Sequence, residues 1–249
     1  MKTTLAVFLA VIPLAVVRSQ TAEEIVRKSE DLLKGETSRG TFRMTIVTPD
    51  YTRSMEMESW WVGNSRALIV IKAPRREAGN KTLKVNNELW MYLRNTETTI
   101  KIPPSMMLQS WNGSDFTNDD LVRESNLVDD YSIGILGEET VGKELCWKIE
   151  LLPKPTAPVV WGKILYWVRK KDFLAAKIEY YDEKNVLMRT MEYSEYRVLG
   201  GRKIPSKWTM VNNVKKDHRT EFQILDAQFN VTLSERIFSF QELEKGRTP

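Results

Sequence analysis

The stretch KILYWV, residues 163–168, sets Leu165 and Trp167 on one side of an extended chain and Ile164, Tyr166 and Val168 on the other. A strand that is apolar on both faces belongs to a sheet that is covered on both sides. The same period of two recurs on either side of it. Phe42, Met44 and Ile46 alternate with Thr41, Arg43 and Thr45, and Met55, Met57 and Trp61 stand against Glu56 and Glu58. ALIVIK (67–72), ELWMYL (88–93), TTIKIP (98–103), CWKIEL (146–151), LAAKIEYY (174–181), VLMRTMEYSEYRVL (186–199), PSKWTMV (205–211) and RTEFQIL (219–225) continue the pattern. Short polar segments separate these runs, and GNS (63–65), VNNE (85–88), DEKN (182–185) and GGRK (200–203) read as hairpin turns. Ten or eleven strands with such turns predict an antiparallel meander that closes into a barrel or a strongly curved sheet.

One segment ahead of the strands has a different period. In TAEEIVRKSEDLLKG (21–35), Ile25, Val26, Ser29, Leu32 and Leu33 share a face, Thr21 and Glu24 have capping-box spacing, and Gly35 ends the run. This predicts an amphipathic helix packed on the sheet.

The first residues place Lys2 ahead of an apolar run from Leu5 to Val17. Residues 1–19 therefore read as a signal peptide cleaved after Ser19, with residues 20–249 as one exported domain. No later segment approaches the roughly 18 apolar residues of a membrane-spanning helix. Cys146 lies far from the signal, so neither a lipid anchor at the start of the mature chain nor an internal disulfide is expected. Without Lys2 and Arg18, 35 basic residues face 33 acidic ones, interspersed along the chain. That distribution argues against a nucleic-acid partner, which needs a clustered basic face.

Catalytic readings find little support. The single histidine, His218, sits in a polar KKDHRTE segment, and Cys146 precedes Trp147 like a small buried apolar residue. There is no phosphate-cradling glycine loop and no zinc-ligand spacing, so neither a cofactor nor a metal is expected. The run SWNGSDFTNDDL (110–121) concentrates acids but lacks the ligand order of a calcium loop. A structural reading suits it better: Gly113 permits a turn, Thr117 caps a helix, and Asp120 occupies its third position.

The segment Gly113-Ser114-Asp115-Phe116-Thr117, with Asp120-Leu121 and the later strand end Leu152-Pro153-Lys154, resembles the outer-membrane lipoprotein-sorting protein family with a LolA-like fold. The initial helix, NELWMYL and the closing LSERIFSFQELEKG match the family as well, so the resemblance spans nearly the whole mature chain. It implies a mainly β (α+β) fold: an open antiparallel half-barrel of about eleven strands, with helices covering the concave face and leaving an apolar cavity for acyl chains. In this picture residues 113–121 are a structural loop and short helix at the lid. LolA-type carriers use an arginine near a strand end to couple lid and cargo; the pattern around Arg66 and Arg75 departs from theirs, and that role is carried over to neither.

The implied function is a periplasmic, non-enzymatic carrier that shelters the acyl chains of a lipoprotein or lipid. It would be loaded by an inner-membrane transporter and unloaded at an outer-membrane acceptor, with the carrier acting as a monomer. Trp60, Trp61, Trp90, Met91, Met106, Met107, Trp111, Trp161, Trp167 and Trp208 are the candidates for lining or covering its cavity. Two alternatives are an envelope lipid- or stress-sensing regulatory module of the same fold and an enzyme acting on an envelope lipid or glycan.

Overall fold

A computed structural model describes residues 20–123, 127–157 and 159–245. The signal peptide expected over residues 1–19 lies outside the described residues. Helix α1 (Ala22–Lys34) begins as its sequence dictates: Thr21 Oγ1 accepts the Glu24 amide at 3.2 Å, and Glu24 Oε2 accepts the Thr21 amide at 3.0 Å. Thirteen strands follow among the described residues. They are β1 (Thr37–Val47), β2 (Thr52–Val62), β3 (Arg66–Ala73), β4 (Lys81–Val85), β5 (Glu88–Leu93), β6 (Thr98–Lys101), β7 (Tyr131–Val141), β8 (Glu144–Pro153), β9 (Lys163–Arg169), β10 (Ala175–Tyr181), β11 (Leu187–Leu199), β12 (Arg202–Asn212) and β13 (Arg219–Phe229). The four turns read from the sequence all lie between consecutive paired strands.

All thirteen strands form one open antiparallel sheet in the order β6-β5-β4-β3-β2-β1-β13-β12-β11-β10-β9-β8-β7. Two meanders meet at a central β1–β13 seam, and the edges are the mid-chain strands β6 and β7. The segment between them, with α2 (Asn118–Arg123) and α3 (Leu127–Asp130), therefore crosses from one edge of the sheet to the other.

The count exceeds the expected eleven by β4 and β7. Strand β4 reads KTLKV, and its two lysines look like solvent-facing or turn residues, yet Lys81 and Lys84 are each 2% exposed. Their stems cross the sheet surface and their ammonium groups reach helix carbonyls: Lys81 Nζ donates to Glu242 O at 2.6 Å and Lys245 O at 2.8 Å, and Lys84 Nζ donates to Val122 O at 3.0 Å. Strand β7 carries Gly134 and Gly137, leaves Ile135 and Leu136 exposed, and shifts register between Ile135 and Gly137. A glycine-containing, bulged edge strand lacks the clean alternation that marks a half-buried one.

Both faces are covered; on the outer side of KILYWV, Lys148 and Lys177 lie over Trp167, which packs with Cys146, Leu165 and Ala176. On the inner face, Ile25 and Val26 of α1 join Tyr166, Val168, Ile178 and Met210 in one cluster, and Trp111 joins Met44, Met57 and Ile69 in a neighbouring one. Over β2 to β5 the outer face is covered by the C-terminal segment. The 3-10 turn Glu235–Phe238 and helix α4 (Phe240–Glu244) press Phe238 and Leu243 onto Trp60, Leu68, Val70, Leu83 and Trp90. Helices thus cover both faces, not the concave one alone, because β2 to β5 are apolar on both sides.

Candidate functional site

The inner face holds a cavity of about 280 Å³ between α1, the α2–α3 segment and the strands on either side of the seam. Its floor is made of small residues. Gly40 on β1 faces Ala227 on β13 and Ser59 on β2, and Ser38 lies one step further along β1. Beside Gly40 the β1–β13 ladder slips between Thr41 and Phe42, so β13 contributes an extra residue, Leu225, and bends. A Cβ at position 40 would lie 2.8 Å from Asp226 O, so the close approach of the two backbones excludes any side chain there. The walls are aromatic and aliphatic: Trp61, Trp111, Phe116, Tyr166, Trp208 and Phe222 line the space. Phe222 stacks edge-on against Phe116, with ring centroids 4.9 Å apart, and lies 6.4 Å from Trp208.

Residues 110–121 form one wall and are pinned to the sheet by polar bonds. Thr117 Oγ1 accepts the Asp120 amide at 3.3 Å, while Asp120 Oδ2 accepts the Thr117 amide at 2.6 Å, which is the reciprocal cap the spacing predicts. Asp120 then takes a two-pronged ion pair from Arg189 on β11, with Nη1 at 2.6 Å from Oδ2 and Nη2 on Oδ1. Both side chains are 6% exposed. The Arg189 guanidinium also lies over the rings of Trp161 and Tyr180, at 4.4 and 4.7 Å. Asp115 accepts from Thr220 Oγ1 at 2.8 Å and Asn212 Nδ2 at 3.1 Å. Trp111 Nε1 donates to Thr82 at 3.2 Å, Ser114 Oγ donates to Trp111 O at 2.7 Å, and Gly113 sits at φ +76° in the turn. The carboxylates thus face hydrogen-bond donors from the sheet. Among the described residues, no group of three or more His, Cys, Asp and Glu side chains could hold a metal ion.

The structure divides the candidate residues. Trp61, Trp111 and Trp208 line the cavity, as do Phe116, Asp120 and Leu121 of the motif segment. Met91, Met106 and Met107 pack around Leu89, Ile102 and Val122 beneath α2. Trp161 stacks on Tyr180 with centroids 5.3 Å apart. Trp60 and Trp90 lie under the C-terminal segment on the outer face, and Trp167 lies on that face with Cys146 and Leu165, beneath Lys177 at 3.8 Å. Alternation separates two faces but does not say which one the lid will cover; where both are apolar, inner and outer tryptophans carry the same signal. Arg66 also lies outside the cavity, pairing with Glu235 and stacking over Phe238 at 5.3 Å. Residues 110–121 are held by Arg189, which the sequence did not single out, and by Arg53, whose Nη2 donates to Asn112 O at 3.2 Å. Arg189 lies in an ordinary alternating strand, 69 positions from its partner Asp120, and only the fold brings the two together.

A family model with the description "uncharacterized protein" matches residues 63–245. Three solved structures share the architecture. A DUF1329 family protein from Desulfovibrio piger is 21% identical with a TM-score of 0.82, covering 89% of this chain and 97% of its own. A putative outer membrane lipoprotein-sorting protein domain from Vibrio parahaemolyticus is 22% identical with a TM-score of 0.78, covering 90% and 98%. A LolA superfamily protein from Nitrosomonas europaea is 21% identical with a TM-score of 0.75, covering 90% and 99%. The chain belongs to the matched family, and its fold is LolA-like. No curated protein matches it. Within this LolA-like sheet, the motif segment 113–121 forms one wall of the cavity and is hydrogen-bonded to β11, β12 and β13. Among the described residues, no helix of the LolA-like chain is long and apolar enough to cross a membrane.

Proposed function

We propose that this protein is an exported, periplasmic carrier that shelters acyl chains, of a lipoprotein or a lipid, in the inner-face cavity and delivers them to the outer membrane. The observation that carries this reading is the cavity: a space of about 280 Å³ with mostly apolar walls, roofed by helices on an otherwise open sheet. Removing an aliphatic chain from water is worth about 0.8 kcal/mol per methylene, and such a space supplies that gain without demanding a particular head group. Two of the charges at its walls are engaged, Asp120 with Arg189 and Lys84 with the Val122 carbonyl. The likeness to the lipoprotein-sorting domain and the LolA superfamily protein supports the reading through the fold.

On this proposal residues 1–19 direct export, and the partners are a membrane donor and an outer-membrane acceptor. The test is organic extraction of the mature protein purified without detergent from its native envelope, followed by mass spectrometry. An acylated species recovered near one per protein is the expected result. A protein that comes off empty and takes up neither lipid nor lipoprotein when offered would sink the carrier reading.

A further inference from the structure

The cavity runs from an exposed mouth to a closed end. Asn64, in the β2–β3 turn, is exposed; Leu33, in the last turn of α1, and Phe229, at the end of β13, are half-buried; and the lining ends on the buried Trp111, Phe116 and Ile178. A tube with one open end takes an elongated ligand by its tail. Its volume of about 280 Å³ lies at the lower limit of ligand sites, roughly 300–1,000 Å³ for drug-sized molecules, which suits one alkyl chain.

Widening the tube is opposed at its closed end. The wall formed by residues 110–121 could swing away only by breaking the Asp120–Arg189 pair, the Asp115 bonds to Thr220 and Asn212, and the Trp111–Thr82 bond together. Each lies in partly or fully buried surroundings, where a separated polar group stays unsatisfied. The floor is equally fixed, because its width is set by the backbone contact at Gly40 and by the small side chains of Ser59 and Ala227.

Resting on the carrier reading, we propose that the ligand is a single-chain amphiphile, with one aliphatic tail seated between α1 and the β1–β13 seam and its polar head left at the mouth beside Leu33 and Asn64. The fixed wall and floor favour such a ligand over a three-chain lipoprotein anchor. Fatty acids and lysophospholipids share the tail chemistry, and they differ in what remains at the mouth.

The experiment is displacement of 11-(dansylamino)undecanoic acid from the detergent-free mature protein. The competitors are saturated fatty acids from octanoic to stearic acid, the matching lysophosphatidylcholines, and a tripalmitoyl-cysteine lipopeptide. Affinity is expected to rise about fourfold per added methylene until the tube is full and then to level off, with one ligand bound per protein. The series showing the tighter plateau identifies the head group. In Ser59→Phe, and in the milder Ala227→Val, the plateau should move to shorter chains; if the larger side chain prevents folding, the smaller one and the wild-type series still decide. Displacement by the lipopeptide at lower concentration than by any single chain would overturn the single-chain assignment and leave the carrier reading standing. No binding of the dansyl probe, of any single chain or of the lipopeptide would remove both.

Discussion

Asp120 and Arg189 meet beneath Trp161 as a two-pronged ion pair, each side chain 6% exposed, and so join the first turn of α2 to the middle of the opposite meander. A buried pair of this kind costs most when only one partner is lost, because the other charge is then stranded. Asp120→Ala is expected to lower the unfolding free energy by about 3–5 kcal/mol. The double variant Asp120→Leu, Arg189→Met should recover most of that loss. Urea denaturation of Asp120→Ala and the double variant measures the difference, and a double variant no better than Asp120→Ala would show that the pair is not the dominant tie.

The cap of α2 is separable from that pair. Thr117→Ala removes the Oγ1 acceptor of the Asp120 amide and should cost about 1 kcal/mol. Asp115→Ala strands the Thr220 hydroxyl and the Asn212 amide, at about 1–3 kcal/mol. Denaturant midpoints at an unchanged slope would report these losses.

The two faces of the sheet give an optical prediction. Tryptophan emission quenched by a brominated fatty acid should lose amplitude when Trp61, Trp111 or Trp208 is replaced by Phe. Replacement of Trp60, Trp90 or Trp167 should leave the quenching intact, since these lie on the outer face. Equal losses from both sets would mean that the chain does not occupy the inner cavity.

Lys81 gives a pH prediction. Burial, opposed by the attraction of Glu242, pushes its ammonium below the ordinary 10.5, while Nζ holds the carbonyls at the end of α4. In the window between its lowered value and 10.5 the unfolded chain binds more protons than the folded one. This group's contribution to stability therefore increases as pH rises through that window and diminishes as pH falls through it. Lys81→Met should lack that slope, and should speed amide exchange over residues 240–245 because the carbonyls lose their donor. Stability curves of both proteins across alkaline pH, together with hydrogen exchange, test the two effects.

Much of this was legible in the residues. The capping box of α1, the period of two and the four turns are local signals, and the GSDFT segment carried the family likeness. What escaped depends on contacts distant in sequence. Lys81 and Lys84 conceal β4 because their burial becomes tolerable only once helix ends from elsewhere supply carbonyls. Trp60 and Trp61 are adjacent in sequence and opposite in space, and only the paths of the lid and the C-terminal segment decide which one meets the cavity.

The β1–β13 seam also bears on how the molecule comes to exist. Strands β1 to β6 form one locally connected meander and β7 to β13 another, each closed by short turns, while the seam pairs residues as distant as Ser38 and Phe229. Contacts of such long range form slowly, since the chain entropy of the large loop must be overcome before pairing returns any energy. Each half can assemble early, but Gly40 and Ala227 come together only when the seam does. The cavity is thus a late product of folding, and a half-made chain would expose apolar sheet faces with no enclosed space between them.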